Sequence, residues 1–479
     1  MNLTKVVFKN FSYIMIGRVL FRFLNAAIMI YAARYLGVDR YGMFETALAW
    51  ANAFLALNDV GMSTLIVREG ARDESKIAVY FGNTLLVEVI FSIILYATVL
   101  LVGFGIGYNH TTMVLLAILG AGGLIFEFRK VMRGIFRIYL KLKVVAFLEV
   151  LNGIIYFLLT LWIVTTIKDI DVGLLGIAHA NLWTNVLFVA ALFFYTLRFV
   201  KPKIDRKQIW PMIKQSYVFT LYNLFFMLYF QIDQIILSIL KPASEVGIYS
   251  ASAKLVGAFL FIPVMLFQVT MPIMYQASRE DMPRYKRINH MKWRYLAAFG
   301  IPAGVGLWLL APQIINFVFG EKYLASIPVL AVMGWFLAIR FTALSQGNSL
   351  TTTDRQGLRA FIQILSLVLN IVLDIILIKK YGALGAGIAT LITEACIATS
   401  YLYFSAKYLE ESVLKNSLSL LPIVGATLVM SLAVFLAKDQ LHVIFVMLLG
   451  VITYLPFLWI FRFFRPYDKQ ILQQIMSKP

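Results

Sequence analysis

A chain of 479 residues that is 61% hydrophobic and only 14% charged lies outside the range of soluble globules, in which apolar residues make up about 45 to 50%. With a mean hydropathy of +0.82, the composition excludes a soluble enzyme or soluble binding module and specifies a polytopic membrane protein. The net charge of +19 would suggest nucleic acid in a soluble domain, but the basic residues are accounted for by where they fall relative to the apolar runs.

Fourteen long apolar runs follow one another, beginning near Phe11, Tyr41, Ile77, Thr112, Val144, Val172, Ser216, Val246, Trp293, Leu324, Gly357, Tyr381, Ser417 and Leu441. Each is about 20 residues or longer, the length of a spanning helix, and none shows the ten-residue alternation of a transmembrane barrel strand. The fold expected is all-α and integral to the membrane. No small-residue cleavage site precedes the first run, so it reads as a retained helix. The single cysteine, Cys396, lies inside an apolar run, which rules out a disulfide within the chain.

Alternate loops differ sharply in charge. Thirty-one of the 43 basic residues fall on one side, including the dense runs Arg129 to Lys143 and Arg198 to Lys214, against eight on the other. By the positive-inside rule both termini are cytoplasmic. Attraction to anionic lipid headgroups then fits the basic loops better than nucleic acid does.

Inside the spans, charge is sparse. Asp233 sits seven residues before the turn at Leu240, and Lys254 eight residues after the next helix starts at Val246. At 1.5 Å rise per residue both lie roughly 10 to 12 Å below one surface. An ionisable group at that depth costs at least ~2.5 kcal/mol unless it is paired or faces water, so the two are candidates for an ion pair or a gating role. Arg18, Arg22 and Asn25 recur at helical spacing and give the first helix one polar face. Glu88, Arg340 and Glu394 lie deep in helices 3, 10 and 12. An arginine facing a cavity suits phosphate, because its planar fork donates two parallel hydrogen bonds. The two glutamates are candidates for carrying a coupling cation, H+ or Na+, or for bonding neighbouring helices. Glu45, Glu149 and Asp374 read as interfacial.

The chain repeats itself. RYGMF at Arg40 to Phe44 matches EVGIY at Glu245 to Tyr249, an offset of 205, and VGLLGIAHA at Val172 to Ala180 matches YGALGAGIA at Tyr381 to Ala389, an offset of 209. Two parallel six-helix halves follow, with two additional helices at the end. The expected divisions are 1–207, 208–411 and 412–479. No catalytic constellation, metal-ligand spacing, phosphate-binding loop or other cofactor motif is present in the sequence.

Five segments together resemble the polysaccharide transporter family of the multidrug, oligosaccharidyl-lipid and polysaccharide flippase superfamily. They are AARYLGVDRYGMFETALAW at Ala32, GMSTLIVREGARD at Gly61, QIDQIILSILKPASEVGIYSASAKL at Gln231, FGEKYLASIPVLAVM at Phe319 and NIVLDIILIKKYGALGAGIATLITE at Asn370. The resemblance implies two lobes around a V-shaped central cavity and alternating access in the cell membrane. It further implies that a polyprenyl-diphosphate-linked oligosaccharide is moved from the cytoplasmic to the outer leaflet. Arg18, Arg22, Asn25 and Arg340 would meet the diphosphate or an anionic sugar, in a monomer that works alongside glycan polymerase or ligase machinery. The alternatives are a cation-coupled small-solute or drug antiporter of the same superfamily, disfavoured by cavity arginines, and an integral membrane glycosyltransferase or polymerase, disfavoured by short outer loops.

Overall fold

The computed structural model describes residues 3–55, 58, 61–410, 412–465 and 467–468, with side chains from Gly17 onward except 18–19, 55, 217–227, 269 and 413–415. Among the described residues every regular element is a helix, as expected where lipid offers no partner to an unsatisfied backbone group. The chain forms two compact units, Met1–Gly247 and Ile248–Pro479.

The first unit holds α1 (Leu3–Leu55), α2 (Met62–Gly70), α3 (Ile77–Ile106), α4 (His110–Glu127), α5 (Arg129–Ile138), α6 (Leu142–Thr166), α7 (Ile170–Thr196) and α8 (Arg206–Leu240), and α9 (Ala243–Gly257) begins there. The second holds the rest of α9 and then α10 (Phe261–Glu280), α11 (Met282–Leu309), α12 (Ala311–Phe319), α13 (Ile327–Thr352), α14 (Gln356–Tyr381), α15 (Ala383–Leu409), α16 (Val413–Leu418), α17 (Leu421–Ala437) and α18 (Val443–Ile460).

Among the described residues ten helices are long and apolar enough to cross a membrane, and α11 with α12, bent by 78°, makes an eleventh if the pair is one span. The difference from the fourteen expected falls at α1 and α8. Residues 3–55 run as one helix through the first two expected spans, broken at Gly37, where φ of 70° is open to glycine at little cost. The apolar part of α8, Leu228–Leu240, is short. The ninth expected helix also starts earlier than its apolar run, at Met282, because the Asp281 carboxylate accepts from the Arg284 amide at 2.9 Å and Pro283 suits a first turn.

The repeat is visible in packing. Within the first unit α7 packs against α4 and α6, and within the second α15 packs against α13 and α14. These two helices begin at the repeated glycine segments and are each 27 residues long. At the head of α7, Asp169 caps the helix by accepting from the amides of Asp171 and Val172, and the Tyr35 hydroxyl donates to the Ile167 carbonyl at 2.8 Å. Gly173 makes room for that tyrosine, since a Cβ there would lie 2.1 Å from its hydroxyl oxygen.

The other repeated pair brings two backbones together. A Cβ on Gly42 would lie 1.7 Å from the Ala243 carbonyl oxygen, and one on Gly247 would lie 2.2 Å from the Val38 carbonyl oxygen. Adding the 205-residue offset to Val38 and Gly42 gives Ala243 and Gly247. Exchanging the repeats therefore turns one contact into the other.

Candidate functional site

In the first unit, Arg22 is exposed on α1 and Asn25 is partly buried, its amide donating to the Phe21 carbonyl at 2.8 Å. The Arg18 side chain lies outside the described residues. Glu88 is buried in α3, one turn before Ser92, whose hydroxyl donates to Asn58 at 2.9 Å. Asp233 is buried in α8. Five residues beyond it, Ser238 joins a hydrogen-bonded chain in which the Trp50 indole donates to the Tyr108 hydroxyl at 2.8 Å and that hydroxyl lies 2.6 Å from the Ser238 oxygen. This chain ties α1, the end of α3 and α8 together near the acid.

In the second unit, Lys254 is exposed on α9. Two of the sequence candidates meet there: Arg340 of α13 donates to Glu394 of α15 at 2.7 Å, with both side chains buried. The pair belongs to a longer polar column between α13, α14 and α15. On α14, Arg359, Gln363, Ser366, Asn370 and Asp374 recur at spacings of three or four, one helical face. Ser366, Asn370 and Asp374 are buried, whereas Phe361, Leu365, Val368, Val372 and Ile376 on the other side are exposed. The helix is amphipathic in the sense suited to lipid, polar inward and apolar outward.

Asp374, read from the sequence as interfacial, is thus an interior residue with 0% exposure, and Glu45, read the same way, is also buried, at 1%. Their place near a span end set the expectation; the helix face they occupy decides the outcome. Glu149 forms a half-buried pair with Arg133 of α5.

At the basic end of the column the Arg359 guanidinium donates to Asn348 at 3.0 Å and to Thr351 at 2.8 Å. Ser405 donates to Gln346 at 2.8 Å and meets Ser349 at 2.7 Å, and the Tyr285 hydroxyl meets Thr352 at 2.7 Å. Lys292 of α11, absent from the sequence candidates, is fully buried with its ammonium 3.2 Å from the Met274 sulfur and 5.4 Å from the centre of the Phe267 ring. Among the described residues no carboxylate lies within ion-pair distance of it. Among the same residues no three acidic, histidine or cysteine side chains cluster to hold a metal.

The same unit also holds an apolar groove of about 520 Å³ between α11, α17 and α18. Phe299, Gly306, Met430, Met447, Gly450 and Leu455 are among the residues that line it. Tyr295, Phe463 and Phe464 line it as well. Arg294, 1% exposed, holds this part in place: it donates to the Phe463 carbonyl, pairs with Asp468 at 3.4 Å and lies 4.6 Å over the Phe463 ring. The sequence marked helices 13 and 14 as additional but did not reveal that they build a groove. The glycines at 306 and 450 were the available signal.

The profile of the family described as "Polysaccharide biosynthesis protein" matches residues 7–278. Among curated proteins, the chain is 26% identical over 395 residues to the probable flippase AglR of Haloferax volcanii, covering 78% of this chain and 77% of that one. It is 23% identical over 181 residues to the probable low-salt glycan biosynthesis flippase Agl15 of the same organism, a match spanning 38% of each chain. Among solved structures, the lipid II flippase MurJ in an inward closed conformation superposes with a TM-score of 0.75 at 18% identity, covering 96% of this chain and 99% of that one. An inward-facing multidrug resistance MATE family transporter of the MOP superfamily gives 0.66 at 18% identity, covering 81% and 94%. These likenesses establish a multi-pass membrane fold of the MurJ and MATE kind. With the profile matching more than half of its length, the chain belongs to the polysaccharide biosynthesis protein family.

Proposed function

We propose that this protein is a flippase that carries a polyprenyl-diphosphate-linked oligosaccharide across the cell membrane, from the cytoplasmic to the outer leaflet, for surface glycan assembly. The reading involves transport alone, with no bond made or broken. The observation that carries it is that the second unit holds both an apolar groove of about 520 Å³, between α11, α17 and α18, and a buried polar column on α13, α14 and α15. A small polar solute has no use for such a groove. An amphiphile with a long hydrocarbon tail does, since each CH₂ buried contributes about 0.8 kcal/mol. The relatives named as flippases, one of them for glycan biosynthesis, support the same reading.

In this proposal the exposed Arg22 and its neighbour Asn25 meet the diphosphate, and Arg18 joins them on sequence spacing alone. Arg340, tied to Glu394, acts on the packing of the second unit, and Glu394 is a candidate for carrying the coupling cation. Glu88, buried in the first unit, is the other site proposed to respond to a coupling cation, and Asp233 and Lys254 are the charges proposed to set or switch conformation. Both termini are cytoplasmic, on the excess of basic residues in alternate loops. Glycan polymerase or ligase machinery would consume the product. Vesicles from cells that lack this protein and any redundant flippase should fail to translocate the lipid-linked glycan; translocation at the normal rate would end the proposal.

A further inference from the structure

The segment between α7 and α8, residues 198–214, is fastened to α3 more firmly than a connector requires. The Lys203 amide donates to the Ala78 carbonyl at 2.9 Å. Asn83, with 0% exposure, adds two bonds: its side-chain amide donates to the Asp205 carbonyl and its side-chain carbonyl accepts from the Asp205 amide, both at 2.9 Å. Gly82 permits the approach, because a Cβ there would lie 2.2 Å from the Lys203 carbonyl oxygen. Asp205 then caps α8, its carboxylate accepting from the Lys207 amide at 3.1 Å and from Gln208 at 3.0 Å.

What this fastening displays is unusual for a water-facing loop. Ile204 is 60% exposed and Trp210 72% exposed, and Lys201, Lys203, Arg206 and Lys207 stand exposed around them. The end of α5 continues the surface: Tyr139 stacks on Phe199 with centroids 5.8 Å apart, and the Lys141 ammonium sits 4.0 Å over the Phe199 ring. Leu140 between them is exposed. Asp205 is the one acid between Arg198 and Lys214, and its carboxylate is occupied by the cap.

Large apolar side chains and lysines at the ends of spanning helices match the headgroup layer, where an indole lies between tail and water and lysine stems reach out to it. The excess positive charge selects the sign of the headgroup. We propose that residues 198–214, with the end of α5, form a binding platform for anionic phospholipid headgroups of the adjoining leaflet. Ile204 and Trp210 insert below the headgroups, and Lys201, Lys203 and Lys207 hold the phosphates. The proposal is independent of the transported substrate and rests on the membrane fold.

The test uses the full-length protein in phosphatidylcholine vesicles carrying the same fraction of either brominated phosphatidylglycerol or brominated phosphatidylcholine. Bromine quenches nearby tryptophans, and the difference between the native chain and Trp210→Phe isolates Trp210. Quenching should be at least about five-fold more efficient with the anionic lipid, and Lys203→Gln should reduce that preference by about five-fold. Rising salt should erode the preference in the native chain, which decides the matter even if the lysine variant does not fold. Equal quenching by both lipids would reduce the surface to an unselective apolar anchor and overturn the proposal. Absence of quenching by either would overturn it too, and would point to a soluble protein partner.

Discussion

Gly42 and Gly247, equivalent positions of the two repeats, meet backbone to backbone, each excluded from carrying a side chain by a carbonyl oxygen contributed near the other. Replacing either by alanine should force the two segments apart and destabilise the protein by about 1 to 3 kcal/mol, the usual cost of overpacking. The thermal midpoint in detergent checks this. Gly105→Ala, at a glycine with open space around its would-be Cβ, should leave the midpoint unchanged or slightly raised.

The Arg340 and Glu394 pair gives a second prediction. Removing one member of a buried pair leaves the other charge without its partner, so Arg340→Met or Glu394→Gln should cost about 3 to 5 kcal/mol. The double variant Arg340→Met with Glu394→Met should recover most of that loss, because no charge stays behind. Chemical denaturation of the three variants measures it. A double variant as unstable as the worse single would show that the pair has little to do with stability.

How much of this was legible beforehand depends on which signal carries each feature. Length and hydropathy of the runs gave the helical membrane fold and the order of the helices, because a spanning segment must satisfy its backbone internally whatever surrounds it. Repeated glycines marked Gly42 and Gly247 as equivalent positions, since a close backbone approach tolerates no substitute. Glu394 and Arg340 were visible as deep charges, but their pairing joins residues on different helices, which spacing along one helix does not encode. Asp374 was misplaced because depth was judged from the nearest span end, whereas the polar face running from Arg359 through Asn370 holds it inside. The groove depends on how α11 meets α17 and α18, a relation between apolar surfaces that look alike in sequence.

That groove can be blocked. Gly306 has open space beyond its Cα and lies in the groove wall, so Gly306→Trp should fit without unfolding the protein. Transport of a long-chain substrate should fall about ten-fold, the equivalent of 1.4 kcal/mol, while the amount of protein in the membrane stays the same. A short-chain analogue should be affected less, and comparing the two chain lengths in one assay tests the tail's location.

Asn83 supplies a fourth prediction. Asn83→Ala removes both bonds to the partly buried Asp205 backbone, at a cost of about 1 kcal/mol for each bond. Hydrogen exchange at the amides of residues 203–208 should speed up, with α13 to α15 unchanged.

The most direct test of the transport account is translocation in liposomes that contain only this protein and a fluorescent polyprenyl-diphosphate oligosaccharide. The fluorophore on the glycan is bleached from outside at timed intervals. The account predicts protein-dependent exchange between leaflets, lowered about ten-fold by Arg22→Ala without loss of reconstituted protein. Exchange no faster than in protein-free liposomes would contradict it.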